Sequence, residues 1–268
     1  MKSSISLKRL SMLIKRQYTE NRKSYLFAMV ATIGLFSVFS LTQFANQPQL
    51  FAESAFYAVY LGGLYIVGCL LAANSFAFFE DKRKAANWLS IPASRTEKYI
   101  CSLLYINVFF FASYSICFFI IKSITIFLYS TLIVQTDPQT FQILLISDQQ
   151  ANFYLKCTLL FFIIQNLYFF GSIFFLRHAF WYTTIVISLF AIIILIYQMA
   201  VAKVLFPGYE LASGPTLTAA AVENNIPVFH QYGLPNWFHL LFQLITFYLW
   251  IPIIWLAGWI RIQTKQLE

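Results

Sequence analysis

The stretch 55–98, AFYAVYLGGLYIVGCLLAANSFAFFEDKRKAANWLSIPASRTEK, decides the fold. Its first part, Ala55 to Phe79, is apolar and free of Asp, Glu, Lys, Arg and His, and as a helix it exceeds the roughly 20 residues that cross a hydrocarbon core. Its second part, Glu80 to Lys98, carries Lys82, Arg83, Lys84, Arg95 and Lys98, cations that resist translocation and mark the inner side. The alternation repeats along the chain. Apolar runs from Tyr25 to Thr42, Tyr99 to Ile121, Cys157 to Leu176, Ala179 to Ala202 and Trp237 to Ile260 complete six predicted spans. Of the eighteen Lys and Arg residues only Lys122, Lys156 and Lys203 fall on the far side, so fifteen lie with the loop around Lys82. Both termini are therefore predicted to be cytoplasmic. The expected fold class is an all-α membrane protein with six transmembrane helices, residues 1–268 forming a single membrane domain.

Composition removes most other classes. With 60% hydrophobic and 10% charged residues in 268, no soluble domain fits beside the spans. The net charge of +8 is accounted for by the sidedness of the cations, so no nucleic-acid partner is expected. Cys69, Cys101, Cys117 and Cys157 fall within predicted spans without C-x-x-C spacing and read as small packing residues. His178, His230 and His239 lie apart, so neither metal nor cofactor is expected. No Gly-x-Ser-x-Gly elbow, His-Glu-x-x-His pair, membrane aspartate pair or phosphate-binding loop occurs, and no catalytic residue is assigned. The span interiors lack Asp, Glu, Lys and Arg, which disfavours an ion-coupled carrier. The basic N-terminus precedes an apolar run without a small-residue cleavage site, so that run reads as a retained span.

The connecting segments carry more specific signals. Over residues 4–23, Lys8, Arg9, Lys15, Arg16, Arg22 and Lys23 fall on one helical face, and Leu7, Leu10, Leu13, Ile14 and Tyr18 on the other. This predicts an amphipathic interfacial helix on the inner membrane surface; the plainer alternative is a tail whose charges only set topology. Gly68 and Ala72 permit close approach of another helix, within the subunit or from a second one. In the inner loop, Pro92 enforces a break at Ile91-Pro92-Ala93, and Ser94 with Glu97 forms a capping box that starts the third span. Trp88, Leu89 and Ile91 stand in polar surroundings, either dipping into the bilayer surface or serving as knobs for a cytoplasmic partner. Arg177 and His178 leave room only for a tight turn between spans four and five. Residues 204–236, punctuated by Pro207, Gly214, Pro215, Pro227 and Pro235, predict short outer-leaflet helices or a re-entrant hairpin, with 216–225 helical. Trp237 and Trp259 suit interfacial anchors of the sixth span. Mid-span Asn74, Ser75, Asn107, Gln165, Asn166, Gln198 and Gln243 are interhelical hydrogen-bonding groups worth about 1 kcal/mol each, or they line a substrate path.

The order of these parts resembles the type-2 permease family of ATP-binding cassette exporters. The segment 88–98, WLSIPASRTEK, resembles the L-P-x-S-x-x-E-K stretch of bacterial members, with Ile91 where Leu is usual. The resemblance implies a permease subunit in a bacterial inner (plasma) membrane, working with a separate nucleotide-binding ATPase subunit and a second permease subunit as homo- or heterodimer. It makes Lys82, Arg83, Lys84, Trp88, Leu89, Ile91, Arg95 and Lys98 the ATPase contact, and Asn74, Ser75 and Gln198 pathway groups for a hydrophobic or amphiphilic substrate. The competing expectation is a non-transporting membrane anchor or assembly factor whose inner loop docks another cytoplasmic protein.

Overall fold

The computed structural model describes the chain except residues 1–5, 47–49, 81–82, 84, 87–89, 91, 134–141, 145, 176, 206–209, 213–217, 224–225, 232–248 and 265–268. Among the described residues, five helical segments are long and apolar enough to cross a membrane: Tyr25–Asn46, Glu53–Glu80, Arg95–Thr131, Asp148–Phe174 and Ala179–Tyr197. The chain is thus a multi-pass membrane protein. Of the predicted sixth span, residues 237–248 lie outside the described residues; the rest is helix α7, Trp250–Thr264.

Helix α1 runs unbroken from Leu7 to Asn46. The segment predicted as a helix along the inner membrane surface is helical from Leu7 and continuous with the first span. Residues 7–33 contain neither Pro nor Gly, so nothing in the backbone stops the helix where composition turns from basic to apolar. Forty residues make a rod of about 60 Å, twice the roughly 30 Å hydrocarbon thickness.

The third crossing is also longer than predicted. It comprises α3 (Arg95–Leu104), a π-helical stretch (Tyr105–Phe110) and α4 (Phe111–Ile133). It runs parallel to α1: Ser6 N–H reaches Glu97, Tyr25 stacks on Tyr105 at 5.6 Å, Phe36 meets Tyr114 at 5.6 Å, and Phe44 meets Tyr129 at 5.1 Å. Parallel neighbours share one hydrocarbon band. Along this rod the apolar part of α1 faces residues 105–129, and the basic part of α1 faces α3.

Helix α2 (Glu53–Ala73) ends before Phe79: Asn74–Phe76 form a turn, and Ala77–Glu80 a 3-10 turn. The Ser75 hydroxyl donates to the Leu71 carbonyl at 2.9 Å, a local bond that competes with helix continuation. Helix α5 (Asp148–Phe174) packs along α2, and a Cβ on Gly68 would lie 2.6 Å from the Phe161 ring. The close approach encoded at Gly68 is thus made within the subunit. Helix α6 (Ala179–Leu205) follows the predicted tight turn, with His178 at φ 53° in the left-handed region. Two aromatic clusters fill the bundle, one around Phe36, Tyr60, Phe118 and Phe161, the other around Phe76, Tyr99, Phe169 and Ile173.

Charges sort to opposite ends as their sequence positions demand. At one end Arg177 lies 3.6 Å from Glu80, Arg95 donates to the Gln263 carbonyl at 2.7 Å, and Arg261 sits 5.0 Å from the Phe174 ring centre. At the other, Lys122 pairs with Glu53, which also accepts from the Ile146 N–H at 3.0 Å. There too, strand β1 (Leu50–Ala52) pairs in parallel with β2 (Gln142–Leu144).

The helices predicted between spans five and six are replaced by strands. β3 (Glu210–Ala212), β4 (Thr218–Glu223) and β5 (Ile226–Gln231) form an antiparallel sheet in the order β3-β4-β5. The β-branched and aromatic residues Thr218, Val222, Ile226, Val228 and Phe229 favour it, and Pro227 falls on an edge strand, where a missing donor is tolerated.

Candidate functional site

A cleft of about 1280 Å³ opens between α1, the C-terminal end of α2, and the α3–π–α4 rod. Its volume exceeds the roughly 300–1,000 Å³ usual for small-molecule pockets. The wall changes character along its length in the same order on both long helices. On α1, Lys15 and Arg16 give way to Tyr18 and Tyr25, then to Ala28, Met29 and Thr32. On the facing rod, Lys98 gives way to Tyr105, then to Phe109, Phe110, Tyr114 and Cys117. Asn74, Ser75 and Glu80 line it from the break at the end of α2.

The end near Lys98 is held by α3, whose start is a capping box as predicted. Ser94 accepts from the Glu97 N–H at 3.1 Å, and Glu97 Oε2 accepts from the Ser94 N–H at 2.9 Å. The Glu97 side chain, fully buried, does more than cap. Its Oε1 accepts from the Ser6 N–H at 3.0 Å and lies 3.6 Å from Arg9 Nε. Beyond it, Tyr105 donates to the Ile14 carbonyl at 2.7 Å and Cys101 to Gln17 at 3.2 Å. On its other side α3 meets α7: Trp259 donates to Thr96 at 3.2 Å, and Tyr99 to the Trp255 carbonyl at 2.9 Å. The first turns of α3 thus tie α1 to α7, and a small groove shared by Arg9, Met12, Pro92 and Ala93 places the loop break against α1.

The π-helical stretch carries a polar network across the bundle. Asn107 and Asn166 exchange side-chain hydrogen bonds at 3.2 and 2.9 Å, Trp255 donates to Asn166 at 2.7 Å, and Gln165 donates to the Ile106 carbonyl at 3.2 Å. Asn107, Gln165 and Asn166 are therefore interhelical fasteners. None of the three lines the cleft.

The residues singled out from the sequence divide unevenly. Asn74 and Ser75 line the cleft; Gln198 is on α6, and its side chain lies outside the described residues. Lys82, Lys84, Trp88, Leu89 and Ile91 are also outside them, while Arg83 is helical and exposed. Arg95 is exposed and bonded to α7. Lys98 departs from its expected role. It is 5% exposed, within electrostatic reach of Arg16 and Arg95, and turned into the cleft because it shares the buried face of α3 with Cys101 and Ser102. The anchoring role of Glu97, the tyrosine belt and the contribution of Arg16 went unread. The signals present were a carboxylate three residues after Ser94 and a tyrosine at each helix's entry to the hydrocarbon.

Among the described residues no group of His, Cys, Asp and Glu is placed to hold a metal. Comparison with protein-family models, curated proteins and solved structures returns no match.

Proposed function

We propose that the chain is the transmembrane permease subunit of an ATP-binding cassette exporter in a bacterial inner membrane. It moves a hydrophobic or amphiphilic substrate with energy from a separate ATPase subunit and operates beside a second permease subunit. One observation carries this reading: the turn that follows Pro92 is bonded on one side to α1 through Glu97 and on the other to α7 through Arg95, Thr96 and Tyr99. A displacement of the loop at 80–93 is therefore delivered to a wall of the cleft. A nucleotide-driven partner needs such a point, because a conformational change requires contacts that differ between the two states.

In this reading the partner grips Lys82, Arg83, Lys84, Trp88, Leu89 and Ile91, with Arg95 at the pivot. Lys98, facing the cleft, belongs to the substrate side. Asn74 and Ser75 form the polar rim of the path. The apolar residues exposed along α6, such as Leu189, Ile193 and Ile196, suit contact with lipid and a second subunit.

The test is affinity purification of the tagged chain from its native membrane, followed by assay for bound nucleotide and vanadate-sensitive ATP hydrolysis. The unaltered chain should retain a phosphate-loop ATPase. Reversal of charge at Lys82, Arg83 and Lys84 combined with Trp88→Ala should release it with the permease still inserted. Purification of the unaltered chain without ATPase activity would count against the proposal.

A further inference from the structure

We infer that the packed end of the bundle beyond the cleft is a gate, and that the ion pair of Lys122 with Glu53 is its latch. What the gate passes rests on the transport reading; the latch itself does not.

The lining of the cleft ends at Thr32 on α1 and at Cys117 on α4. There the helices close over Phe36, Tyr60, Tyr114 and Phe118, all buried, with neighbouring ring centres 4.6 to 5.6 Å apart. Tyr114 donates to the Tyr60 carbonyl at 3.0 Å, so this plug is tied from α4 to α2.

Lys122 lies five residues past Cys117, about 7.5 Å further along α4. It falls inside Arg95–Thr131, a segment long and apolar enough to cross a membrane, and Glu53 begins another, Glu53–Glu80. Ionisable side chains within such segments are costly, occur in pairs and mark function. The two side chains are only 13% and 15% exposed. Glu53 also accepts from the Ile146 N–H at 3.0 Å, and the Lys122 ammonium sits 4.7 Å from the Tyr57 ring centre. One cation and one carboxylate therefore join α2, α4 and the segment that leads into α5.

A permanent seam needs no charges. Exchanging a buried ion pair for apolar side chains is commonly neutral or stabilising, so stability alone does not account for this one. What the pair adds is a dependence on water. The attraction between two charges is about four times as strong in protein surroundings as in water. The contact holds while this end is dry and lapses once water enters, whereas the aromatic plug resists wetting in proportion to its apolar area. A gate requires a contact that differs between its two states, and this pair is one.

The experiment uses the full chain in membranes with one native cysteine retained, either Cys117 at the end of the cleft or Cys69 in the other aromatic cluster. A membrane-impermeant maleimide is applied on the side that labels Asn152→Cys, an exposed position close to Tyr154, which donates to the Ser54 carbonyl at 3.0 Å. With the pair intact, Cys117 should stay unlabelled from that side over minutes. Glu53→Gln and Lys122→Gln each leave one charge without its partner and should speed the labelling of Cys117 about tenfold or more. The double variant leaves neither charge and should lie nearer the unaltered chain than either single one. Lys122→Arg, which keeps the cation, should behave as the unaltered chain, and Cys69 should stay unlabelled throughout. Ready labelling of Cys117 from that side in the unaltered chain overturns the inference even if no variant inserts. So do unchanged labelling in both Gln variants, and a Lys122→Arg chain as fast as Lys122→Gln. Equal acceleration of Cys69, or loss of insertion in both Gln variants, makes the pair merely structural and overturns it too. The assay uses neither substrate nor ATPase, so a chain that purifies without ATPase leaves these outcomes untouched.

Discussion

Replacing Glu97 tests the join between the N-terminal helix and the start of the third crossing. The carboxylate accepts from two backbone N–H groups, Ser6 at 3.0 Å and Ser94 at 2.9 Å, and is fully buried. Hydrogen bonds to a charged group contribute about 1.5–3 kcal/mol each, so Glu97→Ala should cost about 3–5 kcal/mol. The Arg9 pair adds little, because its guanidinium side is 47% exposed and screened by solvent. Glu97→Gln is the sharper variant. It preserves shape and one acceptor but sets an amide donor against one of the two N–H groups, for a cost of about 2 kcal/mol. Ser94→Ala, which removes only the hydroxyl half of the capping box, should cost about 1 kcal/mol. The assay is hydrogen–deuterium exchange by mass spectrometry in detergent. Both Glu97 variants should lose protection at residues 6–10 and 94–98 together, whereas Ser94→Ala should loosen the second segment alone. Loss confined to 94–98 in Glu97→Gln would refute the claim that this carboxylate joins the two helices.

Two further outcomes follow from the packing. Asn107→Ala and Asn166→Ala, measured singly and together by reversible unfolding in mixed micelles, should show a coupling of about 1 kcal/mol, within the range for interhelical polar pairs in membranes, and Asn166→Ala should be the costlier because it also strands Trp255. Gly68→Ala should destabilise by about 1–3 kcal/mol, since its Cβ would meet Phe161, a fully buried ring; a neutral melting temperature would contradict the described packing of α2 on α5.

Much of the architecture was legible because the membrane leaves few choices. Apolar length gives the crossings and cation placement gives their order, and the contacts at each end agree: Arg177 with Glu80, Lys122 with Glu53. The capping box at Ser94 was readable from four residues. A second one at Ser147 and Gln150 went unread, although it starts α5 several residues before the predicted span. The continuity of the basic segment with the first span went unread for a physical reason. A change from basic to apolar composition marks a change of solvent and does not break a helix, and residues 7–33 hold no breaker. The strands at 210–231 were hidden by Pro and Gly, which read as punctuation; the paired Glu223 and Ile226 enclose Asn224 and Asn225, a residue type favoured in two-residue hairpins. Beyond Asn74 and Ser75 the cleft was not legible. Its wall is drawn from residues 11–32, 71–80 and 98–117, and charge alternation assigns a residue to a side of the membrane without saying which face of its helix it occupies. Lys98 is the example, inner by sequence and inward by structure.

The account turns on the inner loop facing the cytosol. Ala86, exposed within that loop, and Asn152, exposed near the start of α5, are suited to a paired test by cysteine substitution in a chain freed of Cys69, Cys101, Cys117 and Cys157. With a membrane-impermeant maleimide on intact cells, Asn152→Cys should label and Ala86→Cys should not, and inverted vesicles should reverse the pattern. Labelling of Ala86→Cys from outside intact cells would contradict the account.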